Sequence, residues 1–336
     1  MKEALYYSKI DKQTIRCELC PHNCILAKGK RGICRVRKNY NGKLFSENYS
    51  NVCSLNFDPI EKKPLYHYFP GSTILSVGSI GCNLSCKFCQ NWQISQTNVD
   101  DYPNLKSYSA EEIIKIALQK PENTGIAYTY NEPIVWYEYM LDIAKLAHKN
   151  NLKNVMVTNG FINKEPLSEL INYIDAFSVD LKAFSESFYE ILTSSKLEPV
   201  KNTLKFIKEK GKHLEITNLV ITELNDDEIE FEKMVKWISD ELGEDTAFHI
   251  SRYFPAYKLN VNQTSPEKLS KLFEIANKHL NYVYLGNIIT EEGQNTYCKN
   301  CKTQVINRQE YFTKITSLDK DGYCKKCKTK ILNSES

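Results

Sequence analysis

No stretch of this 336-residue chain approaches the run of about 18 apolar residues that crosses a bilayer. Its first residues, MKEALYYSKIDKQ, hold no apolar core of the length a secretory signal needs. These two absences lead to the expectation of a cytoplasmic protein without a membrane partner. Charge of one sign is missing too: 44 Lys and Arg against 41 Asp and Glu leave a net charge of +3, too little for a charge-driven nucleic-acid surface. What remains, 42% hydrophobic and 25% charged residues, describes a globular chain. Its length exceeds what one core of ordinary size holds, so one large domain with small appendages is expected.

Cysteine, by contrast, is plentiful. Twelve of them in a reducing compartment argue for metal rather than disulfides. They form three groups, with Cys53 left over. The central group, Gly81-Cys82-Asn83-Leu84-Ser85-Cys86-Lys87-Phe88-Cys89, has the spacing CxxxCxxC. A four-iron cluster normally takes four thiolates, so three would leave one iron open to a substrate or cofactor. The other reading is a zinc knuckle, which needs a fourth ligand such as Cys53 or His67. The first group, Cys17, Cys20, Cys24 and Cys34, suits zinc or a second iron–sulfur cluster equally well by spacing, with His22 as a stand-in for one cysteine or a neighbour of the site. The last group pairs Cys298 and Cys301 with Cys324 and Cys327 across a stretch of strand formers, the pattern of a zinc ribbon. Such ribbons are structural caps or macromolecule binders. The lysines around this one keep nucleic-acid contact as a secondary reading.

From Thr73 onward, short β-branched runs alternate with longer amphipathic ones. Strands are expected near residues 74–77, 125–130, 154–158, 176–181, 214–222, 248–251 and 282–285. Helices fill the gaps, one opened by a capping box at Ser109-Ala110-Glu111-Glu112 and one by Ser265-Pro266. Repeated strand–helix units require right-handed crossovers and a parallel sheet, with the chemistry at the carboxyl ends of the strands.

The cysteine loop, including Phe88 before its third cysteine, resembles the signature of radical S-adenosylmethionine (SAM) enzymes. That resemblance implies an α/β fold, a partial (β/α)6 barrel. It also implies that Cys82, Cys86 and Cys89 are the catalytic [4Fe–4S] ligands, with SAM chelated at the open iron. Reductive cleavage would give a 5′-deoxyadenosyl radical that abstracts hydrogen from a substrate. Residues at the strand ends then become cofactor-binding candidates. Asn131 and Glu132 stand where many relatives carry Gly-Gly-Glu-Pro, although Tyr130 and Asn131 replace both glycines; the plain alternative is that they cap the next helix. Thr158 and Asn159 resemble a Thr-Asn-Gly element, with Val157 where several relatives have an acid. Asp180 and Lys182 share a strand face, and an ordinary ion pair is the alternative. His249 and Arg252 lie in a His-x-x-Arg-Tyr-x-Pro run, where a satisfied core histidine is the competing reading.

The string Asp58 to Gly71 and the amino-terminal CELCPHNC…GICRVR resemble one branch of that family, related to activating enzymes of glycyl-radical proteins. Lys62, Lys63 and His67 in that string are secondary site candidates, and a solvated charge run is the plainer reading of the two lysines. The full arrangement is similar to the AmmeMemoRadiSam radical enzymes. It implies an amino-terminal four-cysteine metal module over residues 1–50, a connecting segment over 51–72, a radical SAM core over 73–292 and a zinc ribbon over 293–336. The implied partners are a flavodoxin- or ferredoxin-like electron donor and a protein substrate or Memo-type partner. An activating enzyme for a glycyl-radical protein is the rival reading. A non-catalytic iron–sulfur and zinc sensing protein is the reading from another class.

Overall fold

The computed structural model describes residues 1–332. Its centre is an eight-stranded sheet made of β1 (Ser54–Pro59), β2 (Thr73–Gly78), β3 (Asn123–Tyr128), β4 (Lys153–Thr158), β5 (Ala176–Asp180), β6 (His213–Val220), β7 (Ala247–Arg252) and β8 (Val283–Gly286). Spatial order follows chain order, from β1 at one edge to β8 at the other. Strands β2 to β8 run parallel, and β1 is antiparallel to β2. Consecutive parallel neighbours demand a crossover after each strand. Six helices supply these: α1 (Ala110–Leu118), α2 (Tyr137–Lys149), α3 (Lys164–Leu170), α4 (Leu197–Glu209), α5 (Glu228–Leu242) and α6 (Pro266–Asn277). The result is the expected partial (β/α)6 barrel, with a seventh parallel strand and an antiparallel edge added.

Local chemistry sets the element ends. The Ser109 hydroxyl accepts the Glu112 backbone N–H while the Glu112 carboxylate accepts that of Ser109, completing the capping box of α1. Ser265 caps α6 with Pro266 in its first turn. Strand β1 lies inside the stretch expected as a connector, and Pro59 ends it at a sheet edge, where a missing N–H is tolerated.

The amino-terminal residues form two small three-stranded sheets. Ile15, Leu19, Val36 and Leu44 belong to the same apolar cluster as the barrel, so this part has no separate core. A buried ion pair ties it down: Arg37 donates from both terminal nitrogens to Glu138 of α2, at 2.9 Å each. At the other end of the chain, strands Thr296–Tyr297, Gln304–Gln309 and Phe312–Ile315 form a small sheet, and Val305, Ile306, Leu318 and Leu332 of this part pack with Tyr66, Ala247, Tyr282 and Tyr284 in a second cluster. This ribbon closes the barrel at the end where the strands begin. Arg308 donates to the Tyr66 carbonyl at 2.6 Å and to the Thr296 hydroxyl at 2.8 Å. No helix among the described residues is long and apolar enough to cross a membrane.

Candidate functional site

At the carboxyl ends of the strands opens a cavity of about 1420 Å3, counted with its mouth. Cys82, Cys86 and Cys89 line it together with Asn131, Glu132, Thr158, Asn159, Asp180 and Lys182. The loop bearing the cysteines is held from outside: Ser85 N–H donates to the Thr193 carbonyl and Lys87 N–H to that of Leu192, each at 2.9 Å. Gly81 enters the loop at φ +87°, and a Cβ there would meet the Cys34 carbonyl and the Val36 methyls, so only glycine fits.

The donor set suits a three-thiolate cluster. Among the described residues, the trio is not part of any group of three or more ligand atoms gathered within 4.8 Å, as one ion would require. Neither proposed fourth zinc ligand is available: Cys53 Sγ donates to the Ser79 carbonyl at 2.8 Å, and His67 Nε2 lies 2.6 Å from the Tyr284 hydroxyl. Cys82 Sγ receives the Leu84 backbone N–H at 3.3 Å and faces the Asn159 amide at 3.8 Å. Such N–H contacts to sulfur are what tune a cluster's potential. Burial pushes the Cys86 thiol up to about 12, with the nearby Lys182 ammonium opposing.

Glu132 bridges two strand ends. Its carboxylate accepts from the Thr158 hydroxyl and the Asn159 N–H, both at 2.7 Å, and from Ile134 N–H at 3.2 Å, which caps the short helix Pro133–Trp136. Burial pushes its acid up to about 7 against those hydrogen bonds. The capping reading and the cavity-wall reading therefore hold together. Tyr130 adopts φ +73°, the left-handed conformation a glycine would take without strain, and its hydroxyl donates to Asp58 at 2.6 Å. The Asn131 side chain brackets the cysteine loop by accepting from Ser79 N–H and donating to the Gly81 carbonyl. Lys182 Nζ donates to Asp180 at 2.8 Å. Burial disfavours its charge, but Asp180 and Cys86 hold its pKa above the usual lysine value.

Two expected cofactor ligands do not line the cavity. His249 lies deeper in the barrel, where its Nε2 is 2.7 Å from Glu215, a buried carboxylate that also takes the N–H groups of Tyr66 and His67 and bonds His213. Burial works against that carboxylate's charge, but the two histidines hold its pKa well below the usual value. Arg252 donates its Nε–H to the Thr264 carbonyl at 2.7 Å and stacks on Phe254. The expected charge run at Lys62 and Lys63 is half wrong: Lys63 is buried and bonded to Asp58 at 2.8 Å, and both lysines line the cavity. His22 is not a free metal ligand at Nε2, which lies 2.8 Å from the Asn83 carbonyl. Sequence reasoning missed Tyr130, Asn91 and Ser251 on the cavity wall. Asn91, two residues after Cys89 and bonded to the Tyr130 carbonyl at 2.8 Å, was the most accessible of these to a sequence argument.

The four carboxy-terminal thiols are gathered within 4.8 Å of one another, with Cys298 and Cys327 at 3.4 Å and Cys301 and Cys324 at 3.7 Å. Sulfurs on one tetrahedral ion stand roughly 3.8 Å apart, given metal–sulfur bonds of about 2.3 Å. A single metal ion fits there.

Comparison with known proteins agrees with this geometry. The chain is 43% identical over 321 residues to an uncharacterized protein of Methanocaldococcus jannaschii, covering 95% of each. It is 30% identical over 216 residues to a putative glycyl-radical enzyme activating enzyme of the same organism, covering 60% of this chain and 76% of the relative. A radical SAM methyltransferase from Sphaerobacter thermophilus superposes with a TM-score of 0.52 at 15% identity, over 65% of this chain and 67% of that one, a likeness of fold alone. The profile of the Radical SAM superfamily matches residues 77–237, the span that carries the cysteine loop and the ends of β3 to β6 that line the cavity. With a relative 30% identical over three quarters of its length on one side and that profile on the other, this chain is an enzyme of the radical SAM superfamily.

Proposed function

We propose that Cys82, Cys86 and Cys89 hold a [4Fe–4S] cluster whose open iron takes SAM, and that the enzyme is of the AmmeMemoRadiSam type. One observation carries the reading. Three cysteine side chains, with no fourth cysteine among the described lining residues, face the same cavity as Glu132, Asp180 and Lys182. Bound there, the cluster would supply the single low-potential electron that cleaves the sulfonium of SAM to a 5′-deoxyadenosyl radical, which takes a hydrogen atom from the substrate.

The chain's own residues do the positioning. The Leu84 N–H and the Asn159 amide hold the Cys82 sulfur and offset its charge. Lys182, oriented by Asp180, offers an ammonium to the carboxylate of SAM. Asn131 and the backbone beside Tyr130 line the rim near the loop, where carbonyls can accept from the SAM ammonium. The barrel wall and the ribbon-covered floor exclude water from the radical. Zinc is the proposed ion of the carboxy-terminal ribbon, and the electron comes from a flavodoxin- or ferredoxin-like donor.

The test is anaerobic incubation of cluster-loaded protein with dithionite and SAM. Formation of 5′-deoxyadenosine and methionine supports the reading; an intact cluster that leaves SAM uncleaved overturns it. The similarity to a putative glycyl-radical enzyme activating enzyme favours one rival, action on a partner protein. A glycyl radical doublet in electron paramagnetic resonance of such a partner would distinguish that outcome.

A further inference from the structure

The two outer cysteine groups differ in a way that their spacings along the chain do not reveal. In the ribbon the sulfurs touch, at 3.4 and 3.7 Å. Cys17, Cys20, Cys24 and Cys34 instead line one cavity of about 340 Å3, counted with its mouth, and among the described residues no three of them belong to a set of ligand atoms within 4.8 Å of one another. Zinc draws four sulfurs into contact around a single centre. A cubane gives each thiolate its own iron at a separate corner, so its sulfurs stand apart around a body of finite size. The amino-terminal set has the second arrangement.

The cavity wall fits an anionic group of that size. Arg37 lines it, is buried, and keeps an Nε–H without a hydrogen-bond partner among the described residues, while its other two nitrogens hold Glu138 and the Leu5 carbonyl. A buried unpartnered donor calls for an acceptor, and cluster sulfurs accept hydrogen bonds. Leu19, Ile33, Ile134 and Val135 supply the apolar remainder. His22 is excluded as a ligand through Nε2 by its contact with the Asn83 carbonyl. Asn83 also belongs to this wall, while Cys82, its neighbour in the chain, belongs to the wall of the larger cavity. Adjacent residues of one loop thus line the two sites.

We infer that Cys17, Cys20, Cys24 and Cys34 bind a second [4Fe–4S] cluster, ligated by protein at all four irons and seated against the loop of the first. Complete thiolate ligation leaves it no corner for SAM, so its class is that of an electron carrier. The inference adds to the proposed function without requiring that the loop cluster exist, and the two can fail separately.

The test measures iron, acid-labile sulfide and zinc in anaerobically purified full-length protein produced with cluster-assembly proteins, without chemical reconstitution. The expected content is about eight irons, about eight sulfides and about one zinc per chain. About four irons with about two zincs overturns the inference. The Cys82→Ala, Cys86→Ala, Cys89→Ala triple variant is the second arm. It is expected to keep about four irons, with the Mössbauer signature of a four-iron cluster, and to bind no SAM in equilibrium dialysis. Loss of all iron from this variant while it stays folded by circular dichroism overturns the inference. Undiminished iron in the variant would instead refute the loop assignment.

Discussion

Replacing Glu138 with glutamine tests how the amino-terminal part is fastened to the barrel. The Arg37 and Glu138 side chains are 2% and 1% exposed and meet through two parallel hydrogen bonds of 2.9 Å. Glutamine keeps one acceptor, which can still take the Leu5 N–H now bonded to Glu138 at 2.8 Å. Its amide group, however, turns a donor toward the guanidinium and removes the carboxylate bonded to it. Breaking a buried pair from one side costs about 3–5 kcal/mol, because the remaining charge is left without compensation. At an unfolding entropy of about 2 cal/mol/K per residue over 336 residues, that corresponds to a Tm lowered by roughly 4–7 °C. Differential scanning calorimetry on metal-replete protein measures the shift. The paired variant Arg37→Met, Glu138→Gln is expected to recover part of it, since no charge is then stranded although the Leu5 carbonyl loses its Arg37 donor. A single variant melting within about 1 °C of the parent, or a double variant no better than the single one, would refute this reasoning.

Three further outcomes are expected. Lys182→Ala weakens SAM binding about tenfold in anaerobic equilibrium dialysis, the equivalent of about 1.4 kcal/mol for a lost charge-assisted contact; unchanged affinity removes Lys182 from the cofactor site. Burial pushes the His67 imidazole down to about 3, so the unfolded chain binds a proton that the folded chain refuses. Its contribution is therefore intact above the ordinary histidine value and is lost, by about 1.4 kcal/mol per pH unit, as the pH falls from about 6.5 toward 3. Urea titrations of His67→Gln should give a correspondingly flatter acid limb, and an unaltered slope would show that His67 is not a source of it. Arg308→Met leaves the Tyr66 carbonyl without its donor and takes one of two partners from the Thr296 hydroxyl, which keeps Tyr284, and costs about 1–3 kcal/mol. SAM affinity should stay intact, and its loss in folded protein would contradict the separation of floor from cavity.

What could be read from the sequence was whatever depends on local spacing. The CxxxCxxC loop, the Ser109 capping box and the alternation of β-branched and amphipathic runs all reflect contacts within a few residues, and the strands and helices formed where those signals lay. Depth along the barrel axis has no such local signature. The alternation of a strand tells that His249 faces inward, yet nothing local says that Glu215, on the neighbouring strand, would hold it below the cavity. Lys63 looked like solvated charge because its partner Asp58 becomes a partner only after the chain turns between β1 and β2. The string from Asp58 to Gly71 acquires a meaning only in three dimensions: Asp58 holds Lys63 and Tyr130, Glu61 accepts the Gly71 N–H, and His67 meets Tyr284. The gathering of the carboxy-terminal sulfurs and the spread of the amino-terminal ones were hidden for the same reason, since chain spacing constrains ligand order but not the distance between sulfurs.

The ribbon's seat on the barrel has a consequence for synthesis on the ribosome. Tyr66, Tyr282 and Tyr284 acquire their apolar cover from residues that follow them in translation. Until residues 296–332 have left the exit tunnel, this end of the nascent barrel stays wet and sticky, a surface for chaperones to shield. Capture of a metal ion by the four cysteines of the trailing segment is then the event that plugs it, which couples metal supply to protection of the barrel.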